Sequence, residues 1–366
     1  MLNETLLTAE AGSAPLADVA CCQDIPVVHS RAEPSAEPQL KPGQILDGRF
    51  VIRELISRGG MATVYRAEDR ENGGREVSIK VPLRKVESDP AGYAQFRREE
   101  ETGLRLRHPW LVRVYAAPDH RQRPYIVTEF LRGCTLAQLG KDRLPLPEAD
   151  AFKIVALLCE AVGHMHERGV IHRDLKPSNV MICRDQTLRV MDFGLAAPPV
   201  RQRNALAGLA PIFGSPEYMA PEQVENGPID ERTDIYSLGA ILYELLTGSV
   251  PFQNEDLWQS AYQRTAGDPI APRKLNPALS REAEEIVLHA LQRKPGDRYA
   301  SMEAFQAELR APTGVPVTGY AERLRSPRWK LSFHGTPVLA GLLLGFGAVL
   351  FLVVMFLILT VWPVTR

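Results

Sequence analysis

Two short stretches constrain the fold of this chain more than any other feature. The first runs from His172 to Asn179 and reads HRDLKPSN, and the second is the triplet Asp192-Phe193-Gly194. The apolar runs at 180–182 and 188–190, which are separated by a polar turn, predict a short β-hairpin between the two stretches. In a hairpin, the start of the first strand lies beside the end of the second strand. The two stretches are therefore expected to lie side by side.

The side chains that this hairpin brings together suit phosphoryl transfer. Asn179 stands at its start, Asp192 lies just after its end, and Asp174 is close by in the first stretch. One carboxylate can orient a hydroxyl and accept its proton, while the other oxygens can hold Mg²⁺ on phosphates. A loop of capping Asp and Asn residues without chemistry is the alternative. The presence of both motifs, in this order and spacing, favours the functional interpretation.

On these residues the sequence resembles the eukaryotic-type (Hanks) protein kinases, and more closely the bacterial serine/threonine kinases, over about residues 46–309. The resemblance implies Asp174 as the catalytic base, Lys176 as a contact of the transferred phosphate, and Asn179 and Asp192 as Mg²⁺ ligands. It also implies ATP and Mg²⁺ as cofactors, and proteins with Ser or Thr hydroxyls as substrates.

A weak version of the kinase glycine-rich loop lies upstream. Gly59 matches one glycine of the family pattern, whereas Ser57 and Ala62 occupy the first and third glycine positions. These residues are small, so the hairpin backbone can still lie over ATP, although an ordinary hairpin turn would give the same local pattern. The residues predicted here to bind the nucleotide are Ile56, Ser57, Gly59, Gly60 and Val64.

The next two motifs supply an ion pair. Residues 76–81 alternate like a strand and match the family's VAIK motif, so Lys80 is predicted to bind the α- and β-phosphates. Glu99 stands at the position of the helix C glutamate and is predicted to pair with Lys80. It is preferred to the next two residues, Glu100 and Glu101, because of its spacing from the later His-Pro pair. The alternative is a surface lysine and three solvated glutamates.

One residue of the same helix departs from the family. Gly103 is small where the family usually places an apolar side chain, which predicts that helix C docks loosely.

The strand that ends near Leu131 resembles the hinge between kinase lobes. Thr128 occupies the gatekeeper position, and backbone groups of Glu129 and Leu131 are expected to bind adenine. Met181, in the hairpin after the catalytic loop, completes the predicted ATP site.

The later motifs favour a protein substrate over a small molecule. Residues 214–222 resemble the substrate-binding loop and the APE motif of protein kinases. Arg298 corresponds to the family's buried partner of Glu222, and Asp234 is expected to hold the catalytic loop from beneath. Burying either member of the Glu222–Arg298 pair alone would be costly, so we expect both charges to be structural.

The remaining segments predict the domain organisation. Residues 1–44 are rich in Ala, Pro, Glu and Ser, which predicts a flexible tail before a kinase domain at 45–310. Residues 311–336 form a basic juxtamembrane linker. Residues 337–362 are predicted to form a transmembrane helix, followed by a short outer tail at 363–366.

The membrane prediction rests on the run from Val338 to Trp362, which contains no charged residue. At about 1.5 Å per residue, a helix of this length exceeds a bilayer core of about 30 Å. Basic residues precede the run, so the positive-inside rule predicts a single-pass protein of the cell membrane with its kinase domain in the cytoplasm. Gly341 and Gly345 have GxxxG spacing, which hints at a homodimer, although lipid-facing glycines are the commoner explanation.

Together these features predict an α+β, two-lobed protein kinase fold with one C-terminal transmembrane helix. The predicted function is ATP-dependent phosphorylation of Ser and Thr residues of proteins. A pseudokinase scaffold that binds partners without catalysis is the first alternative, and a small-molecule kinase is the second. The formal net charge of −1, with both signs mixed along the chain, argues against a nucleic-acid partner.

Overall fold

The computed structural model describes residues 40–194, 196, 216–253 and 263–325. All of these residues lie in one compact unit of the chain. They form two lobes with separate hydrophobic cores. The α+β, two-lobed part of the predicted fold is therefore confirmed.

The N-terminal lobe is built on a six-stranded antiparallel sheet in the order β1-β2-β3-β4-β6-β5. Its strands are β1 (Ile45–Leu46), β2 (Phe50–Arg58), β3 (Ala62–Asp69), β4 (Arg75–Pro82), β5 (Val114–Tyr115) and β6 (Ile126–Glu129). Two helices lie between β4 and β5 along the chain, namely α1 (Arg84–Ser88) and α2 (Pro90–Arg105). The sequence predicted α2 as helix C of the family but did not predict α1.

Alternation along β4 decides which side chains face the cleft. Val77, Ile79 and Val81 are buried, and all three belong to the lobe's core. Lys80 therefore points to the opposite face, because successive residues of a strand face opposite sides of the sheet. The alternation of side chains along β4 thus places Lys80 on the face that lines the cleft.

The C-terminal lobe is mainly helical and contains a three-stranded sheet in the order β7-β8-β9. Its strands are β7 (Gly133–Thr135), β8 (Val180–Cys183) and β9 (Leu188–Val190). Its helices in the described part of the chain are α3 (Leu136–Arg143), α4 (Glu148–His166), α5 (Pro221–Val224), α6 (Arg232–Thr247), α7 (Pro272–Leu275), α8 (Arg281–Ala290), α9 (Met302–Arg310) and α10 (Tyr320–Arg323). Helices α4 and α6 are buried on nearly every face, which explains why both read as apolar in the sequence.

Residues 311–325 pack against the C-terminal lobe. Val315 is buried and belongs to the lobe's hydrophobic core. The side chain of Glu285, on α8, accepts hydrogen bonds from the backbone N–H of Thr318 at 2.7 Å and of Tyr320 at 3.2 Å, and also from the Thr318 hydroxyl. The described part of the predicted linker 311–336 is thus fixed on the kinase fold by a buried carboxylate.

Within residues 40–194, 196, 216–253 and 263–325, no helix is long and apolar enough to cross a membrane. The predicted transmembrane helix at 337–362 and most of the predicted tail at 1–44 lie outside these residues.

Candidate active site

The catalytic loop is held in place by a buried carboxylate on α6. Asp234 is fully buried, and its two oxygens accept the backbone N–H groups of His172 and Arg173, each at 2.9 Å. The ring of His166, at the end of α4, lies 2.8 Å from the same carboxylate. Burial acts to raise the pKa of Asp234, but these partners lower it below its usual value. The predicted support of the loop by Asp234 is confirmed, whereas the contact of His166 was not predicted.

Asp174 lies at the centre of a short hydrogen-bond network. Its Oδ2 atom accepts from the Lys176 ammonium at 2.8 Å and from the Asn179 amide at 3.1 Å. The same amide donates to the Asp174 backbone carbonyl at 2.8 Å. The carboxylate is therefore fixed in orientation, as a group that must meet an incoming hydroxyl requires.

The predicted hairpin joins the two motifs. Strands β8 and β9 pair antiparallel, and the backbone N–H of Met191 donates to the Asn179 carbonyl at 2.8 Å. Asp192 follows with a φ of 66°, in the left-handed region that side chains other than glycine rarely adopt. Strain of this kind persists where the surroundings enforce it, and it is concentrated at functional sites.

Lys80 links the N-terminal lobe to Asp192. Its ammonium lies 2.6 Å from Glu99 Oε1 and 3.1 Å from Asp192 Oδ1. Burial acts to lower the pKa of Lys80, but the charges of Asp192 and Glu99 reverse the effect and raise it, so the side chain stays cationic. The charge of Lys80 in turn lowers the pKa of Asp192 and keeps that carboxylate ionised. Of the three consecutive glutamates, Glu99 is the one that contacts Lys80.

The loose docking predicted for helix C is wrong. A Cβ atom at Gly103 would lie 2.3 Å from Val114 Cγ2 and 3.3 Å from Phe193 Cδ2. No side chain fits in that space, so glycine permits α2 to approach β5 closely. Phe193 itself is buried beneath the helix. The departure from the family at Gly103 therefore reflects tighter packing.

These groups line one cavity of about 410 Å³ between the glycine loop, α2 and the catalytic loop. Of the predicted site residues, its wall includes Ser57, Gly59, Gly60, Val64, Lys80, Glu99, Asp174, Lys176 and Asp192. Asn179 reaches this group through its hydrogen bonds to Asp174.

Four predicted ATP-binding residues are not among those that line this cavity in the described part of the chain, namely Ile56, Glu129, Leu131 and Met181. Ile56 lies in β2, Glu129 ends β6, and Met181 lies in β8. Their assignment to the adenine end of the site therefore stays a prediction. The wall also contains residues that the sequence did not single out, including Val86 of α1 and Gln95 and Phe96 of α2.

The glycine loop closes one side of the cavity. It joins β2 to β3, and the Gly59 N–H donates to the Ala62 carbonyl at 2.8 Å. A Cβ atom at Gly60 would meet nothing within 4 Å. The backbone of the loop thus borders the cavity without bulky side chains at its two glycines, an arrangement that suits close contact with phosphates.

The donors at the catalytic end suit Mg²⁺ and phosphate. The predicted ligands, Asn179 and Asp192, offer an amide and an ionised carboxylate, and Mg²⁺ prefers such oxygen donors. Lys80 and Lys176 supply the positive charge that phosphate oxygens need. The residues present therefore fit a nucleotide with its divalent ion.

Comparison with known proteins gives the family. The protein kinase domain family matches residues 50–309. The chain is 36% identical over 290 residues to the serine/threonine-protein kinase PknB of Mycolicibacterium smegmatis, an alignment that covers 76% of this chain and 46% of the relative. It is 36% identical over 276 residues to PknB of Mycobacterium tuberculosis, covering 74% of this chain and 44% of that protein.

A third relative is the probable serine/threonine-protein kinase SCO3848 of Streptomyces coelicolor. It is 37% identical over 271 residues, which cover 73% of this chain and 40% of the relative. The chain thus spans less than half the length of these curated relatives. The matched region covers most of both lobes, so the chain belongs to the protein kinase domain family, and its relatives in these comparisons are bacterial serine/threonine kinases.

Proposed function

We propose that the chain is a serine/threonine protein kinase that transfers the γ-phosphate of ATP to Ser or Thr hydroxyls of proteins. The observation that carries the proposal is the joining of two clusters in one cavity. Lys80 contacts both Glu99 and Asp192, while Asp174 is held by Lys176. In protein kinases the lysine–glutamate pair and the DFG aspartate must both be in place for catalysis.

Each side chain then has a defined task. Asp174 orients the attacking hydroxyl and accepts its proton, and Lys176, whose ammonium lies 2.8 Å from Asp174 Oδ2, offsets charge on the transferred phosphate. Lys80 binds the α- and β-phosphates, and Glu99 holds its ammonium in position. Asn179 and Asp192 would hold Mg²⁺, which supplies neutralisation of phosphate charge when it is bound.

The full-length protein, purified in detergent, is tested for phosphate transfer to proteins, for phosphate transfer to small metabolites, and for nucleotide binding. Radiolabelled ATP is offered with a mixture of proteins and, separately, with small hydroxyl metabolites, and an Asp192→Ala variant prepared in the same way is the control. Label on Ser or Thr of proteins, absent in the variant, supports the proposal. Nucleotide binding without transfer would support the pseudokinase, and label on metabolites alone would support the small-molecule kinase.

We further propose that phosphorylation in the activation loop does not switch this kinase on. Residues 195–213 contain no Ser, Thr or Tyr, so no hydroxyl there can carry a phosphate to the loop-ordering Arg173. Nearly all of that stretch, and Ser215, lie outside the described residues. Tyr218 is described, and its hydroxyl donates to Glu244 at 2.6 Å, so it is already engaged in the fold.

We expect phosphatase-treated and autophosphorylated protein to have the same initial rate within about twofold. Intact mass gives the number of phosphates, and the variants Ser215→Ala and Tyr218→Phe remove the two nearest hydroxyls. A large rate gain that disappears in either variant would show that the switch exists at a shifted position.

We also propose that the chain is anchored in the membrane by its uncharged run from Val338 to Trp362, with the kinase domain in the cytoplasm. Full-length protein is expected to remain with membranes after carbonate extraction, and externally added protease is expected to spare the kinase domain. A variant with three leucines of the run replaced by arginine is the matched control, because each buried charge opposes insertion by about 2.5–3.5 kcal/mol. Release of the unmodified protein by carbonate would contradict the anchor.

A further inference from the structure

Helix α2, which carries Glu99, buries charged as well as apolar residues. Its buried residues are Phe96, Glu99, Glu100 and Gly103. Among them Phe96 is the one large apolar side chain, and two of the four are carboxylates. The position of α2 therefore depends on the partners of these two carboxylates as well as on apolar packing.

Glu100 forms a two-bond ion pair with Arg121, which lies in the connection between β5 and β6. Arg121 Nη1 lies 2.8 Å from Glu100 Oε1, and Nη2 lies 3.2 Å from Oε2. The two side chains are only 8% and 13% exposed. This double contact fixes the relative orientation of two planar groups, which a single lysine contact cannot do.

Arg121 is itself fixed to the core of the lobe. Its Nη1 also donates to the backbone carbonyl of Tyr125 at 2.7 Å, and its guanidinium lies 5.4 Å from the centre of the Tyr125 ring. Tyr125 is fully buried and meets Phe50 edge to face, with ring centres 5.9 Å apart. The ion pair therefore connects α2 to the hydrophobic core of the N-terminal lobe.

Glu99 and Glu100 are neighbours on one helix and point in different directions. Successive residues of an α-helix are about 100° apart around the axis, so when one carboxylate is fixed the direction of the other is fixed as well. Glu99 meets Lys80 in the cavity, and Glu100 meets Arg121 beside it. Arg97 also approaches Glu100, at 3.9 Å, but its own side chain is 44% exposed and on the same helix.

We propose that Arg121 is a positioning residue, which through Glu100 sets the rotation of α2 that brings Glu99 onto Lys80. This inference rests on the proposed kinase function. Without Arg121, the buried carboxylate of Glu100 would lose its two-bond partner, and the helix could hydrate it by turning outward. That movement would withdraw Glu99 from Lys80. Misplacing a group that binds phosphate lowers turnover, because the reacting atoms are no longer aligned.

The test uses Arg121→Gln and Glu100→Gln in the full-length protein, each made alone and in a Glu99→Gln background. In the otherwise unchanged protein we expect each substitution to lower kcat at least about tenfold, with a change in KM for ATP below about threefold. In the Glu99→Gln background the same substitutions should lower kcat less than about twofold, because the pair they position is already lost.

A kcat within twofold of the unchanged protein in either single variant would overturn the proposal. An equal loss in both backgrounds would overturn it too, since a merely structural role would act regardless of residue 99. If the neutral variants do not fold, Arg121→Lys replaces them, because lysine keeps the charge but not the two-bond geometry. Its kcat is compared in the same two backgrounds, with the same outcomes.

Glu101→Gln is the matched control. Glu101 is the next residue on α2, its side chain is 64% exposed, and its distance to Arg97 is 3.7 Å. We expect its kcat to be unchanged. Turnover by the unchanged protein in the same assay tests the proposed function separately, so failure of the kinase assignment and failure of the positioning role give different results.

Discussion

Asp174→Ala and Lys80→Ala are each expected to lower phosphate transfer by about 10²–10³-fold while the protein stays folded. Removing one preorganised charge from an active site typically costs about 3–4 kcal/mol of transition-state stabilisation. Asp174→Ala removes the proposed proton acceptor, and Lys80→Ala leaves Glu99 and Asp192 without the ammonium between them. The effect should therefore appear mainly in kcat for Asp174→Ala and in both kcat and KM for ATP for Lys80→Ala.

Initial rates with radiolabelled ATP measure the effect, and thermal melting shows whether the variants fold. Asp185→Ala and Lys141→Ala are matched controls, because both residues are exposed and lie outside the cavity wall. Near-normal rates for Asp174→Ala and Lys80→Ala would refute the assignment of the catalytic residues.

Arg298→Ala is expected to destabilise the folded protein by about 3–5 kcal/mol, the usual result of leaving a buried charge unpaired. Arg298 donates to both carboxylate oxygens of Glu222 at 2.7 Å, and the two side chains are 0% and 7% exposed. Its other hydrogen bonds reach the backbone carbonyls of Arg232, Gln292 and Arg293. The substitution thus leaves a buried carboxylate and three carbonyls without their shared donor.

Differential scanning calorimetry should show a melting temperature lower by roughly 10 °C for a domain of this size. Arg310→Ala is the matched control, because Arg310 also pairs with a glutamate but is 59% exposed, and pairs at the surface contribute little. A shift for Arg298→Ala no larger than that of the control would mean that the buried pair is not needed for stability.

The centre of the site could be predicted from sequence because its geometry is local. Asn179 and Asp192 are joined by one short hairpin, and the turn and strand signals between them are sufficient to place them together. Lys80 could be predicted for a similar reason, since alternation along β4 fixes the face it occupies. In each case the prediction depends on a pattern among residues that are close together in the sequence.

Helix α2 shows where such reasoning fails. Three consecutive glutamates give no periodic signal that separates the buried pair from the exposed third, and Arg121 lies in a loop beyond the next strand. The same holds for Gly103, whose missing side chain by itself predicts weak packing. Whether a small residue leaves a gap or permits a close approach depends on the opposite surface, here Val114 and Phe193.

The hydrogen bonds that Glu285 receives from Thr318 and Tyr320 have a practical consequence for the choice of a recombinant fragment. Family similarity ends at residue 309, but Glu285 is 4% exposed and takes these donors from beyond that point. A fragment cut at the similarity boundary would retain the Glu285 carboxylate without these partners, and the core would lose Val315. Recombinant fragments for biochemical work should therefore extend through Arg325, since the unit that folds is longer than the unit that similarity detects.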